Sequence, residues 1–350
     1  MRKMERENGI AKEHADVKYI NIQNTGTKHS GEKIAFLFPG QGAQKAGMGK
    51  DFYENSETSR ELFNQLQSML DFDLKEMCFG ELDALNMTEY TQPCMVSVCL
   101  VIVQELEKRG IYPDMTAGLS LGEYAAVATA GGMQMLDAIK LVRRRGILMQ
   151  NTIPAGEGAM AAVLGLDAEK IEEILTRFEH VWIANYNCPG QIVITGLTED
   201  VQEAGTALKA SGAKRVVPLK VSGPFHSPLL KSAGEELLKE MESISFSQLT
   251  IPYVANATAK LVTDSTQIKS LFAKGVSSSV RWQQSIELML ENGIDTFIEI
   301  GPGKTLAGFM RKIAPQATVY NVSSWEDVAV LEEKMSNKNG LREGTPEEMK

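Results

Sequence analysis

The chain has 350 residues, of which 43% are hydrophobic and 23% charged, enough apolar material for one large domain or two moderate ones and the wrong balance for a disordered, collagen-like or coiled-coil protein. A net charge of −9 argues against a generic polyanion-binding surface, so no nucleic acid partner is expected. Cys78, Cys94, Cys99 and Cys188 form no CxxC pair and the histidines offer no zinc-ligand spacing, which predicts free thiols in a reducing, cytoplasmic setting and no metal.

Residues 1–32 mix charges with Asn, Gln, Gly and Thr without an apolar period and read as a flexible N-terminal extension. KIAFLFPG at 33–40 is a short apolar run stopped by Pro39-Gly40, the form of a buried, central parallel strand. Pro93 suits the first turn of a helix that continues through the apolar run to Leu106 and stops at Gly110. Its most apolar part, MVSVCLVIV at 95–103, is far short of the roughly 18 to 20 residues of a membrane span, and the N-terminus is charged throughout, so neither an anchor nor a signal peptide is expected. AGLSLGEYAAVATAGG at 117–132 holds a Gly-flanked turn followed by an Ala-rich helix, and Met135 to Gln150 makes another.

Residues 158–222 then run β-α-β-β-α-β, the ferredoxin-like split unit, with strands near Ala159–Leu164, Trp182–Ala184, Gln191–Thr195 and Arg215–Leu219. Beyond it lie a helix near Leu229–Met241, a strand at Ile251–Ala255, a helix at Val280–Glu291, a strand at Thr296–Ile300 and a helix opening at GPGKT. The simplest assembly is an α/β parallel-sheet domain, residues 33–157 and 223–325, with a small domain, residues 158–222, inserted into it. Residues 336–350 read as a polar C-terminal tail.

Gly118-Leu119-Ser120-Leu121-Gly122 fits G-x-S-x-G, whose glycines permit a tight strand-to-helix turn that presents the serine hydroxyl above a sheet. A serine needs a base. Of the four histidines, His14 and His29 fall in the extension and His180 at a helix-to-strand junction, which leaves His226 in the irregular loop VSGPFHSP. No acid between Ser120 and His226 declares itself as a third member, and a backbone carbonyl would hold the ring equally well. The elbow supplies the backbone N–H of Leu121 to an oxyanion, and the loop Phe38-Pro39-Gly40-Gln41-Gly42-Ala43-Gln44 is the candidate for a second donor. On the helix from Met135 to Gln150, Arg145 lies at the margin of the apolar arc and Arg144 on the opposite side. A guanidinium on a core-facing flank requires an anion, either a structural carboxylate or the carboxylate of a substrate.

Together FPGQGAQ at 38–44, TQP at 91–93, GLSLGEY at 118–124, RGILMQ at 145–150, GAMAAVLG at 158–165, NYNCPGQIVITG at 185–196, PFHS at 224–227 and EIGPGKTL at 299–306 closely resemble the malonyl-CoA:acyl carrier protein transacylases and the acyltransferase domains of fatty-acid and polyketide synthases. The resemblance spans about residues 34–315 and implies an α/β-hydrolase-like domain carrying a ferredoxin-like insert. It implies Ser120 as the acylated nucleophile, His226 as base, Gln41 and Leu121 as oxyanion donors, Arg145 as partner of the malonyl carboxylate and Gln92 as a pocket residue. Phe225 resembles a ring found in malonyl-selective domains. The family orients its histidine by a main-chain carbonyl, expected here at Ala255 or Asn256. One departure is Leu119, where bacterial members commonly carry histidine. The implied partners are malonyl-CoA as substrate, with no bound cofactor, and a phosphopantetheinylated acyl carrier protein. An acylhydrolase on the same scaffold, a freestanding polyketide acyltransferase and a non-catalytic carrier-docking protein are the rival readings.

Overall fold

The computed structural model describes residues 32–343 apart from 82 and 222, so residues 1–31 of the expected extension lie outside the described residues. The chain opens with β1 (Ile34–Phe38), buried along its whole length, followed by α1 (Lys50–Asn55), α2 (Glu57–Gln67) and α3 (Leu74–Phe79). Two of these helices have side-chain caps: Ser56 accepts from Ser59 N–H at the start of α2, and Asp73 accepts from Lys75 and Glu76 N–H at the start of α3. Then come α4 (Thr88–Glu107), β2 (Met115–Gly118), α5 (Gly122–Thr129) and α6 (Met135–Asn151).

The next segment is β3 (Gly158–Leu164), α7 (Ala168–Leu175), β4 (Val181–Cys188), β5 (Gln191–Leu197), α8 (Thr198–Ala210) and β6 (Arg215–Pro218). It forms a four-stranded sheet in the order β4-β5-β3-β6, with β3 antiparallel to both β5 and β6 and β5 antiparallel to β4, which is the ferredoxin-like arrangement. The remainder supplies α9 (Lys231–Glu240), β7 (Tyr253–Ala255), β8 (Lys260–Val262), α10 (Ile268–Val276), α11 (Trp282–Glu291), β9 (Thr296–Ile300), α12 (Thr305–Ile313), β10 (Thr318–Val322) and α13 (Trp325–Glu343).

The large sheet has the order β10-β9-β1-β2-β7-β8, parallel except for β8, and β1 lies inside it between β9 and β2. Helices cover both faces, as an apolar strand such as IAFLF requires. The small sheet is tied to the large domain where β4 bulges between Ile183 and Asn185, for Val280 N–H donates to Ala184 O and Tyr186 N–H to Val280 O.

Two expectations are corrected. The helix assigned to start at Pro93 begins at Thr88, so Pro93 sits inside it. A proline there cannot donate to the carbonyl four residues back, that of Glu89, and Arg143 Nη1 donates to this oxygen at 3.0 Å instead. The same guanidinium pairs with Asp71 and Glu89, each at 2.8 Å, so the defect is filled by a buried cation with two acidic partners. The chain past residue 336 continues as helix to Glu343, because α13 packs Val328, Leu331 and Met335 into the core just before it; residues 344–350 lie outside the described residues.

Arg143 and Arg144 therefore differ in kind, since Arg144 pairs with Glu240 at a half-exposed site. Arg143→Ala is expected to lower unfolding free energy by about 2 to 4 kcal/mol, below the full cost of an entirely buried pair because Asp71 faces solvent. Arg144→Ala should cost less than about 1 kcal/mol. Urea denaturation of both variants measures the contrast, and equal losses would contradict the assignment.

Candidate active site

The site begins with a backbone turn. β2 ends at Gly118, α5 starts at Gly122, and between them Ser120 adopts φ 54° in the left-handed region. A Cβ on Gly118 would lie 1.9 Å from the carbonyl carbon of Gly122, and one on Gly122 would lie 2.3 Å from the oxygen of Phe38, so the turn closes only with glycine at both places. Gly40 is pressed against Leu119 O in the same way, at 2.8 Å from a built Cβ, and Leu119 N–H donates to Phe38 O at 2.9 Å. Gln41 and Leu121 thus belong to two backbone segments in direct contact, the juxtaposition that a two-donor oxyanion hole needs. The Gln41 side chain points elsewhere and donates to Thr88 Oγ1 at 3.1 Å. The Leu119 side chain packs at the edge of the apolar cluster around Leu37, Val254 and Trp282.

His226 is buried, and its Nε2 is 2.8 Å from Ser120 Oγ. Nδ1 lies 2.9 Å from the carbonyl of Gly275, which can only accept, so Nδ1 carries the hydrogen and Nε2 offers its lone pair to the serine hydroxyl. The expected orienting carbonyls of Ala255 and Asn256 are not the ones used. Ala255 O accepts from Ala259 N–H in the turn that follows β7, and Asn256 O accepts from the N–H of Arg281 at the start of α11. Gly275 stands instead in the last turn of α10, where carbonyls lack helical partners and the negative end of the helix favours a cationic ring.

Arg145 is buried beside this pair. Its Nη2 donates to Ser120 Oγ at 3.1 Å and its Nη1 to Gln92 Oε1 at 2.8 Å, while Gln92 Nε2 meets Met149 Sδ at 3.7 Å, which fixes the amide's orientation. The guanidinium stacks over Tyr124, 5.3 Å from the ring centroid, and Tyr124 stacks in turn on Phe272 of α10. Among the described residues Arg145 makes no ion pair. Glu123 is near enough to influence it, but burial lifts that carboxyl to about 8, and its Oε1 accepts from Asn256 N–H at 3.0 Å. The guanidinium is therefore buried without an ion pair among the described residues, and it is aimed at the hydroxyl of a serine. Phe225 is buried next to His226.

The family described as "Acyl transferase domain" matches residues 35–337. The malonyl CoA-acyl carrier protein transacylase of Bacillus subtilis is 40% identical over 312 residues, which are 88% of this chain and 98% of that protein. The chain belongs to the acyl transferase domain family. In structure this acyl transferase is similar to the malonyl CoA-acyl carrier protein transacylase of Clostridium perfringens, with a TM-score of 0.86 and 39% identity over 89% of this chain and all of that one. It is also similar to a malonyl-transacylase solved in complex with its type II PKS acyl-carrier protein, with a TM-score of 0.84 and 35% identity over 87% of this chain and 100% of that one.

Two contributors to the acyl transferase site escape a reading of its motifs. Gly275 offers nothing but a carbonyl, and no side-chain pattern marks it. Asn256, read for its main chain, uses its side chain: Oδ1 accepts from Ser120 N–H at 2.7 Å and Nδ2 donates to Gly118 O at 2.6 Å. An isolated asparagine directly after a strand, in YVANATA, is the one available signal.

Burial, with the charge of Arg145 second, lowers His226 from 6.5 to about 4. The ring is neutral and fit to act as base across the neutral range. The rate at which Ser120 reacts with a fluorophosphonate probe should stay level from about pH 8 down to about pH 5 and then fall through about 4. Between 6.5 and about 4 the unfolded chain binds this proton and the native one does not, so stability should also drop as pH falls through that window. Arg145→Ala removes one cause of the depression and should move the midpoint upward. A midpoint at 6.5 in the wild type would show that the ring is solvated.

Proposed function

We propose that the chain transfers the malonyl group of malonyl-CoA to the phosphopantetheine thiol of an acyl carrier protein through a malonyl ester on Ser120. The observation that carries this reading is the buried guanidinium of Arg145, 3.1 Å from Ser120 Oγ and without an ion pair among the described residues, because a carboxylate on the acyl group is the anion such a site lacks. The curated name of the Bacillus subtilis relative and the carrier-bound transacylase support the same substrate and partner.

In the first step His226 Nε2 accepts the Ser120 proton as Oγ attacks the thioester carbonyl, and the N–H groups of Gln41 and Leu121 receive the oxyanion. Collapse breaks the C–S bond, and the departing CoA thiolate takes the proton back from His226. In the second step the carrier's thiol gives its proton to His226 and attacks the ester carbonyl, and Ser120 leaves with that proton. Gln92 holds the guanidinium in the plane that a carboxylate meets bidentately. Phe225, buried and directly before His226, would on this reading limit the room for an α-branched acyl group. The four cysteines are free and buried, in keeping with a reducing cytoplasm as the proposed location.

Incubation with malonyl-CoA followed by intact-mass measurement tests the reading: a malonyl adduct that moves to carrier protein is expected, and Ser120→Ala should form none. Release of free malonate without a lasting adduct would make the chain a hydrolase, and no reaction would leave it a docking protein. Charge-assisted hydrogen bonds contribute about 1.5 to 3 kcal/mol each, so Arg145→Ala should lower malonyl transfer by roughly 10² or more. Acetyl transfer should fall far less, since acetyl-CoA has no carboxylate to pair. An unchanged malonyl-to-acetyl ratio of kcat/KM in folded Arg145→Ala would show that another group selects the acyl chain.

A further inference from the structure

Asn256 lies outside the reacting pair yet grips the elbow on both sides of the serine. Gly118 O can only accept and Ser120 N–H can only donate, so the amide has one possible orientation, with Nδ2 on the former at 2.6 Å and Oδ1 on the latter at 2.7 Å. Its own main chain is held as well, by Glu123 Oε1 on its N–H at 3.0 Å and by Arg281 N–H on its carbonyl at 3.0 Å. Asn256 and Glu123 are both buried, each 3% exposed. One side chain therefore joins the end of β7 to the end of β2, and Glu123 joins it to the first turn of α5.

We propose that Asn256, braced by Glu123, is the positioning residue that sets Ser120 for acylation, an inference that rests on reading Ser120 as the nucleophile. Ser120 holds the left-handed conformation, and Asn256 Oδ1 gives its N–H a fixed partner. That bond sets the rotation of the turn, and with it the direction of Ser120 Oγ towards His226 and of the Leu121 N–H towards the oxyanion. The groups that recognise the acyl carboxylate, Arg145 on α6 and Gln92 on α4, do not touch Asn256. Loss of the clamp should thus separate chemistry from binding.

The test measures single-turnover acylation by malonyl-CoA and, in a Ser120→Ala background where no ester forms, malonyl-CoA affinity by calorimetry. Asn256→Ala should slow acylation by about 10²-fold, the loss that a displacement of order 1 Å brings to an aligned attack, with affinity changed less than about threefold. Glu123→Ala should slow acylation in the same direction, and since Glu123 also lies near Arg145 the affinity criterion applies to the Asn256 variants alone. Glu123→Gln, which keeps an oxygen for Asn256 N–H, should recover most of the rate. Asn256→Asp has the same size and serves if the alanine variant does not fold; it retains an acceptor for Ser120 but sets a second oxygen against Gly118 O, and at least a tenfold loss is expected on the scale of a misaligned nucleophile. Acylation at the wild-type rate in Asn256→Ala or Asn256→Asp would overturn the proposal, as would affinity falling as far as the rate or Glu123→Gln failing as badly as Glu123→Ala. A malonyl adduct on Ser120→Ala would remove the nucleophile reading itself, a result distinct from all of these.

Discussion

A serine held at φ 54° is the conformation around which the catalytic end of the large sheet is arranged. An L-residue in the left-handed region costs about 1 to 2 kcal/mol, so the turn persists only because its surroundings leave no alternative. Glycines at 118 and 122 let backbone touch backbone, Gly40 brings the loop after β1 onto the same turn, and Asn256 fastens it from β7. His226, at φ 61°, is the second of three non-glycine residues with positive φ among the described residues, so the two members of the reacting pair share the strain. Strands β1, β2 and β7 are adjacent in the sheet, and their buried apolar residues supply the rigidity that keeps both residues in place.

The electrostatics follow from the same burial. Arg145 and His226 both lie next to Ser120 Oγ, and the cation discourages the ring from taking a proton before it is needed. An anion seated against the guanidinium would offset that repulsion and raise the affinity of Nε2 for a proton. Under the proposed function, recognition and basicity would then be coupled through one side chain. The stack of Arg145 on Tyr124 and Tyr124 on Phe272 also joins α6 and α5 to α10, which carries the carbonyl that orients the ring.

Much of this was legible in the amino-acid order, for reasons that can be named. A run such as IAFLF has no polar face and must lie inside a parallel sheet, the glycines about Ser120 announce a turn that other residues cannot make, and the β-α-β-β-α-β order is a pattern of periods alone. The opposite settings of Arg144 and Arg145 follow from helical geometry, which by itself assigns nothing to Arg143. That role depends on a carbonyl freed by Pro93, fifty residues away, in a helix whose start was placed five residues late. Asn256 and Ser120 are 136 positions apart, and a hydrogen bond over that separation leaves no local trace. The C-terminal helix was missed because its polar residues outnumber the few, Val328, Leu331 and Met335, that anchor it.

The carbonyl of Gly275 has a different kind of consequence. An acid that steadies a catalytic histidine can be deleted by one substitution, whereas a main-chain oxygen remains whatever residue occupies its position. The anchor of His226 in that sense tolerates a small side chain at position 275, where the nearest atom to an added Cβ is Glu123 Oε2 at an ordinary contact distance of 3.7 Å. What can remove it is a change that unwinds the last turn of α10. The orientation of the His226 ring is therefore inherited through the stability of a helix end rather than through the identity of any one side chain.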